Sequence, residues 1–204
     1  MNTIRMYPSS INDRYLDDVV ETLRDGGIII YPTDTIYAIG CNALDNQAIE
    51  KICRVKSIDP RRQSLSIVCC DLSQASEYAR IDNSAYKVLN RNLPGPFTFL
   101  LPASHKLPKV FKGRKTVGVR VPDNAIAQAI ARRLGNPILS STVVLPEDSD
   151  PAYLANPMEI GINYQGLAEI LIDGGDGETV GSAVIDLTDS SAPEIIREGP
   201  VELQ

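Results

Sequence analysis

Short apolar runs alternate with amphipathic stretches along almost the whole chain, and this alternation limits its fold more than any other feature. Leu16, Val19, Val20 and Leu23 recur at helical spacing and stop at Gly26-Gly27, the usual place for residues that tolerate a left-handed backbone. The run 28–31 that follows reads as a buried strand. Asp45 is a fitting N-cap for a helix through Ile49, Ile52 and Cys53. "SLSIVCC" (64–70) is another buried strand, followed by a short helix capped by Asp71 and a further helix after Asp82. "PGPFTFLLP" (94–102) is a turn and then a strand. In "TVGVRVP" (116–122) Val117, Val119 and Val121 share one face while Gly118 and Arg120 share the other. A helix carrying Ile126, Ile130 and Leu134 leads to the strand "PILSSTVV". "AEILIDGG", "SAVIDL" and "EIIREG" add three more. About seven strands with four to six helices predict one α/β sheet domain spanning residues 10–200. The acidic, proline-containing stretch 146–165 reads as a mobile loop.

Composition narrows the function classes. A chain of 204 residues can bury a large core without metals or disulfides. No apolar run reaches the roughly 18–20 residues of a membrane span, and "MNTIRMYPSS" lacks the apolar stretch of a secretory signal. The four cysteines form no CxxC pair and read as reduced, buried thiols, which together predict a cytoplasmic protein. The net charge of −6 conceals an asymmetry: residues 145–204 hold one arginine against 13 acids. Basic residues cluster instead at Lys51, Arg54, Lys56, Arg61 and Arg62, and again from Lys106 to Arg120. Two local basic groups in an acidic protein suit a phosphate-binding cleft; they equally suit solvated faces that balance the acidic tail.

Several familiar chemistries are missing. His105 is the one histidine and sits in a loop between prolines, where it reads as a surface residue. With no HExxH, no GxSxG and no GxxxxGK[ST], neither a zinc hydrolase, a serine triad nor a P-loop is supported, and no metal site is expected. What remains are hydroxyls at strand ends, above all in "YPTDTIYAIG" (31–40), and arginines. Such groups hold anions and position substrates, which fits a reaction whose nucleophile comes from the substrate. The plainer reading is that Thr33 and Thr35 cap strand-end backbone groups. Arg120 could likewise serve an ion pair, if an acid points to the same sheet face.

"GGIIIYPTDTIYAIGCNA", "PGPFTFLLP", "KTVGVRVPDN", "PILSST" and "SAVIDLTD…IIREG" resemble, in this order, the YrdC-like threonylcarbamoyl-adenylate synthase family. The resemblance implies a twisted mixed parallel and antiparallel sheet flanked by helices, with a concave basic face. It also implies that L-threonine, bicarbonate and ATP, with Mg²⁺ as the nucleotide's counter-charge, yield threonylcarbamoyl-AMP and pyrophosphate. That product serves the N6-threonylcarbamoyl modification of adenosine 37 in tRNA, and some family members bind double-stranded RNA. Carried over by motif, Thr33, Thr35, Arg120 and Ser182 would face threonine, with Arg120 gripping its carboxylate in a bidentate pair. Thr116, Ser140, Thr142, Arg62 and Arg197 would contact nucleotide, and Lys56 and Arg61 would act as catalytic cations.

This chain departs from the family pattern in places. Ile58 stands where the arginine of a Lys-x-Arg pair belongs, Val144 where an asparagine belongs, and Val68 where many members are polar. A lost guanidinium contact is worth roughly 1.5–3 kcal/mol if desolvated. These departures, with "ICRVK" and "SIVCCDLSQASEYA", resemble the YciO branch. Two rival readings stay open: an RNA-binding protein without adenylate chemistry, and an enzyme for another amino acid or a carbamoyl-phosphate-type ligand.

Overall fold

Each helix begins where a short polar side chain can take up the free N–H groups of its first turn. Asn12 caps α1 (Asp13–Arg24), Asp45 caps α2 (Asn46–Val55) and Asp71 caps α3 (Leu72–Tyr78). Asp82 caps α4 (Asn83–Asn92), Asn124 caps α5 (Ala125–Leu134) and Asn156 caps α6 (Pro157–Asn163). The computed structural model describes residues 1–57, 65–108, 111 and 115–204.

The strands are β1 (Asn2–Arg5), β2 (Ile29–Tyr31), β3 (Ala38–Asn42), β4 (Ser66–Val68) and β5 (Phe97–Pro102), then β6 (Thr116–Arg120), β7 (Ile138–Thr142), β8 (Ile170–Asp173), β9 (Ala183–Asp186) and β10 (Glu194–Arg197). They form one mixed sheet in the order β1-β8-β2-β3-β7-β4-β6-β5-β9-β10. The described residues thus hold ten strands, and the two that the sequence reading passes over are β1 and β3. β1 buries only Ile4, and β3 is interrupted by Gly40, so neither gives a clear apolar period.

The stretch 146–165 is not a bare loop. It holds a 3₁₀ turn (Pro151–Ala155) and α6, anchored by buried Tyr153, Leu154 and Ile160. Pro151 and Pro157 open these turns, where a missing N–H costs nothing, so prolines that read as breakers act as starters.

One sheet face is covered across most of its width, with the edge strand β10 left exposed. Ile30, Ile39, Cys41, Ile67, Phe99, Val117, Val119 and Ile185 join buried residues of α2, α3, α4 and α6 in one core. On the opposite face Ile29, Tyr31, Val68, Ile138 and Ile170 pack beneath α1 and α5 in a second core. That second cover stops partway across: no residue of β5, β6, β9 or β10 belongs to this core. All four cysteines are buried and unbridged.

Candidate functional site

The uncovered half of the second face is a shallow pocket of about 230 Å³. Register explains its lining. Ser66 of β4 lies opposite both Gly118 of β6 and Ser140 of β7, Leu100 of β5 lies opposite Gly118, and Thr98 lies opposite Val184 of β9. These residues, with Arg120, Thr142, Ser182 and Arg197, therefore share one face of five adjoining strands and β10. A Cβ on Gly118 would stand 2.5 Å from Ser66 Oγ and 3.1 Å from Thr98 Cγ2, so glycine keeps the floor open. A bulge supplies Arg197. Ile195 pairs with Ile185 while Arg197 pairs with Val184, and the extra residue, Ile196, turns the guanidinium to the pocket side.

Hydrogen bonds fix the polar groups. Thr98 Oγ1 and Ser182 Oγ are 2.8 Å apart, and Arg197 donates through Nη2 and Nε to the Ser182 carbonyl at 2.7 and 3.2 Å. Tyr31 Oη donates to Ser140 Oγ at 2.8 Å. Burial pushes the Tyr31 phenol up to about 12. Gly40 makes that contact possible, since a Cβ there would sit 2.8 Å from the Tyr31 ring. Lys56, the C-cap of α2, donates through Nζ to the Thr142 carbonyl, and burial holds its ammonium below the ordinary lysine value.

Arg120 has a partner the sequence did not name. Its side chain and that of Asp34 are each only 8% exposed and form an ion pair, Nη2 to Oδ1, of 2.9 Å. Thr35 Oγ1 accepts from the same nitrogen at 3.0 Å, while Arg120 Nε is buried without a partner. Asp34 Oδ2 accepts from the Asp123 backbone N–H at 2.8 Å. Burial raises the Asp34 carboxyl; the Arg120 charge and the Asp123 N–H pull it back.

Of the residues named from sequence, the fold brings Arg120, Ser140, Thr142, Ser182 and Arg197 to this one pocket, with Lys56 at its edge on Thr142. Thr33 and Thr35 stand behind it. Thr33 Oγ1 donates to the Ile36 carbonyl and accepts from the Thr35 N–H, so both hydroxyls brace the turn and Arg120. Thr116 lies opposite Pro102 and does not line the pocket. Arg61, Arg62 and Ile58 lie outside the described residues. Val68 is in the covered core, and half-exposed Val144 donates its N–H to Tyr164 Oη just beyond β7. Sequence reasoning missed Ser66, Thr98 and Asp34. The hydroxyls could have been found from their place on the Gly118 face of strands that are otherwise apolar.

With hydroxyls, two guanidinium groups and a lysine gathered against little apolar surface, the pocket can hold an anionic ligand larger than one phosphate. Known proteins share the arrangement's scaffold. The chain is 38% identical over 200 residues to YciO of Escherichia coli, covering 95% of this chain and 93% of that one. It is 32% identical over 185 residues to threonylcarbamoyl-AMP synthase of Pyrococcus abyssi, covering 89% of this chain and 53% of the synthase. The crystal structure of E. coli YciO superposes with a TM-score of 0.90 at 34% identity, covering 100% of this chain and 98% of that one. That of P. abyssi Sua5 complexed with L-threonine gives 0.86 at 29% identity, covering 98% of this chain and 58% of Sua5. The Sua5/YciO/YrdC family model, whose description is "Telomere recombination", matches residues 21–199. The chain belongs to the Sua5/YciO/YrdC family.

Proposed function

We propose that the open half of the sheet binds L-threonine beside ATP and forms threonylcarbamoyl-AMP from threonine, bicarbonate and ATP, for N6-threonylcarbamoylation of adenosine 37 in tRNA. The observation that carries this reading is convergence: Arg120, Ser140, Thr142, Ser182 and Arg197, from three different strands and the loop before β9, line one pocket. A likeness to threonylcarbamoyl-AMP synthase and to a threonine-bound Sua5 supports it.

In this reading Arg120 takes the threonine carboxylate and the Ser182 hydroxyl faces the amino acid. The threonine amine combines with bicarbonate to give a carbamate and water. The carbamate oxygen attacks the α-phosphorus of ATP, and pyrophosphate leaves with its bonding electrons. No protein nucleophile is needed. The chain's contribution is placement and charge: Lys56 and Arg197 face the phosphates, and the hydroxyls of Ser140 and Thr142 orient them. Mg²⁺ enters as part of the nucleotide substrate. Arg61 is proposed as a further catalytic cation and Arg62 as a further nucleotide contact, while Thr116, outside the pocket lining, would reach only a part of the nucleotide that extends beyond it.

The test is pyrophosphate release with threonine, bicarbonate and ATP-Mg, comparing wild type with Arg120→Ala. Threonine-dependent release that falls to background in the variant is expected. Equal release from both proteins would overturn the assignment of the site.

A further inference from the structure

We propose that Asp34 is a positioning residue that clamps one end of the Arg120 guanidinium and so dictates which of its donors meet the substrate. This rests on the reading that Arg120 takes the substrate carboxylate.

The clamp has two jaws on one nitrogen. Arg120 Nη2 donates to Asp34 Oδ1 at 2.9 Å and to Thr35 Oγ1 at 3.0 Å, which uses both of its hydrogens. Asp34 cannot swing away freely, because its other oxygen accepts from the Asp123 N–H at 2.8 Å. The adjoining Asn124 ties the same turn down from α5. It donates to the Thr33 carbonyl at 3.2 Å while its own oxygen caps the helix. The turn after β2 and the start of α5 therefore form one unit, with the guanidinium gripped between that unit and β6.

The grip leaves Arg120 Nε–H buried with no acceptor. A buried donor without a partner is costly and rare in a finished structure, so an acceptor belongs there when the site is filled. Both bidentate forks of a guanidinium, Nη1 with Nη2 and Nε with Nη2, need Nη2, whose two hydrogens are already committed here, so the bidentate grip expected from the sequence is closed to a substrate carboxylate. A substrate carboxylate must therefore approach through the remaining donors, in an orientation that Asp34 sets. The opposite role can be separated by sign. Were Asp34 merely a resident competitor for the guanidinium, removing its charge would tighten carboxylate binding.

The experiment uses the full chain, ¹⁵N-labelled, as wild type, Asp34→Asn and Thr35→Val, with the Arg120 Nε–Hε signal assigned by its loss in Arg120→Lys. Expected in wild type is a separate, slowly exchanging Hε signal that moves on addition of L-threonine. In Asp34→Asn that signal should merge with the averaged arginines. The Kd for threonine should rise more than tenfold while that for ATP-Mg stays within twofold. Thr35→Val should fall between the two, and it carries the comparison if Asp34→Asn does not fold. An unchanged Hε signal in a folded Asp34→Asn protein, or tighter threonine binding, overturns the clamp. A signal that is sharp in wild type and lost in Asp34→Asn, with threonine bound by neither, supports the clamp and defeats the substrate reading instead.

Discussion

The two halves of one sheet face differ in cover, and the boundary runs through the strands themselves. In β4, Val68 lies in the core beneath α5 while Ser66, two residues earlier on the same face, lines the pocket. In β7, Ile138 is core while Ser140 and Thr142 are pocket. Width accounts for the split. Two packed helices, each about 10 Å across, cover roughly 20 Å. Strands spaced about 4.8 Å apart make the ten-stranded sheet about twice as wide. With α1 and α5 seated over the β1 to β4 side, the β6 to β10 side has no helix on this face among the described residues. What a covered half spends on apolar packing, the open half can offer to a ligand.

The sharpest break of this comparison is Arg120→Ala. It should abolish threonine-dependent pyrophosphate release and also strand Asp34 as a buried, unpaired charge. Breaking such a pair costs about 3–5 kcal/mol. Urea titration should show that loss, with part of it recovered in the double variant Arg120→Ala/Asp34→Ala. A folding cost without an activity loss would make Arg120 structural.

Ile138→Ala tests the covered half alone. Removing a fully buried isoleucine from beneath the helices should cost about 2–5 kcal/mol. The melting temperature should fall by several degrees while the Kd for threonine and ATP stays unchanged. Weaker ligand binding in that variant would mean that the two halves are coupled.

Alkaline pH probes Tyr31, whose bond to Ser140 joins the halves, together with Tyr37 in the core of the opposite face. Tyr31 and Tyr37 are each pushed up to about 12 from 10.0, by burial above all. Their contribution to stability is fully present below pH 10. Above it the unfolded chain releases protons that the folded chain keeps, so stability should fall as pH rises through 12. Tyr31→Phe should flatten part of that fall in a pH series of urea titrations; an unchanged slope would deny Tyr31 its share.

The smallest effect on folding belongs to Arg197→Ala. Arg197 is exposed and bonds only the Ser182 carbonyl among the described residues, so stability should change by about 0.5–1 kcal/mol. ATP affinity should nevertheless drop about tenfold or more, as loss of a charge-assisted contact implies. Calorimetric titration reads both ligands; unaltered ATP binding would remove Arg197 from the site.

Much of the fold was legible because local chemistry wrote it. Asp45 and Asp71 cap the helices they were expected to cap, the helix expected after Asp82 is α4, and the alternation of Val117, Gly118, Val119 and Arg120 assigns the faces of β6 correctly. Period two reports only which face a residue takes, not whether a helix lies above it, so in β4 the period alone does not separate Ser66 from Val68; only the hydroxyl on an otherwise apolar strand does. The bulge at Ile196 was equally hidden: a regular strand would carry Arg197 to the other face. The pattern left Thr33 and Thr35 open between ligand contact and backbone bracing, because hydroxyls at a strand end look alike whether they face a ligand or brace a neighbour, and only the family resemblance favoured the ligand. Asp34, the partner that decides how Arg120 is held, sits between them and is 86 residues away in sequence.

The most direct test of the central claim compares ligand-induced rises in melting temperature for two variants of one strand, Val68→Ala and Ser66→Val. The account predicts that Val68→Ala melts lower than wild type yet keeps the full increment from L-threonine with ATP-Mg. Ser66→Val should melt near wild type and lose most of that increment. An increment kept in Ser66→Val, or lost equally in both, would contradict the assignment of ligand binding to the open half.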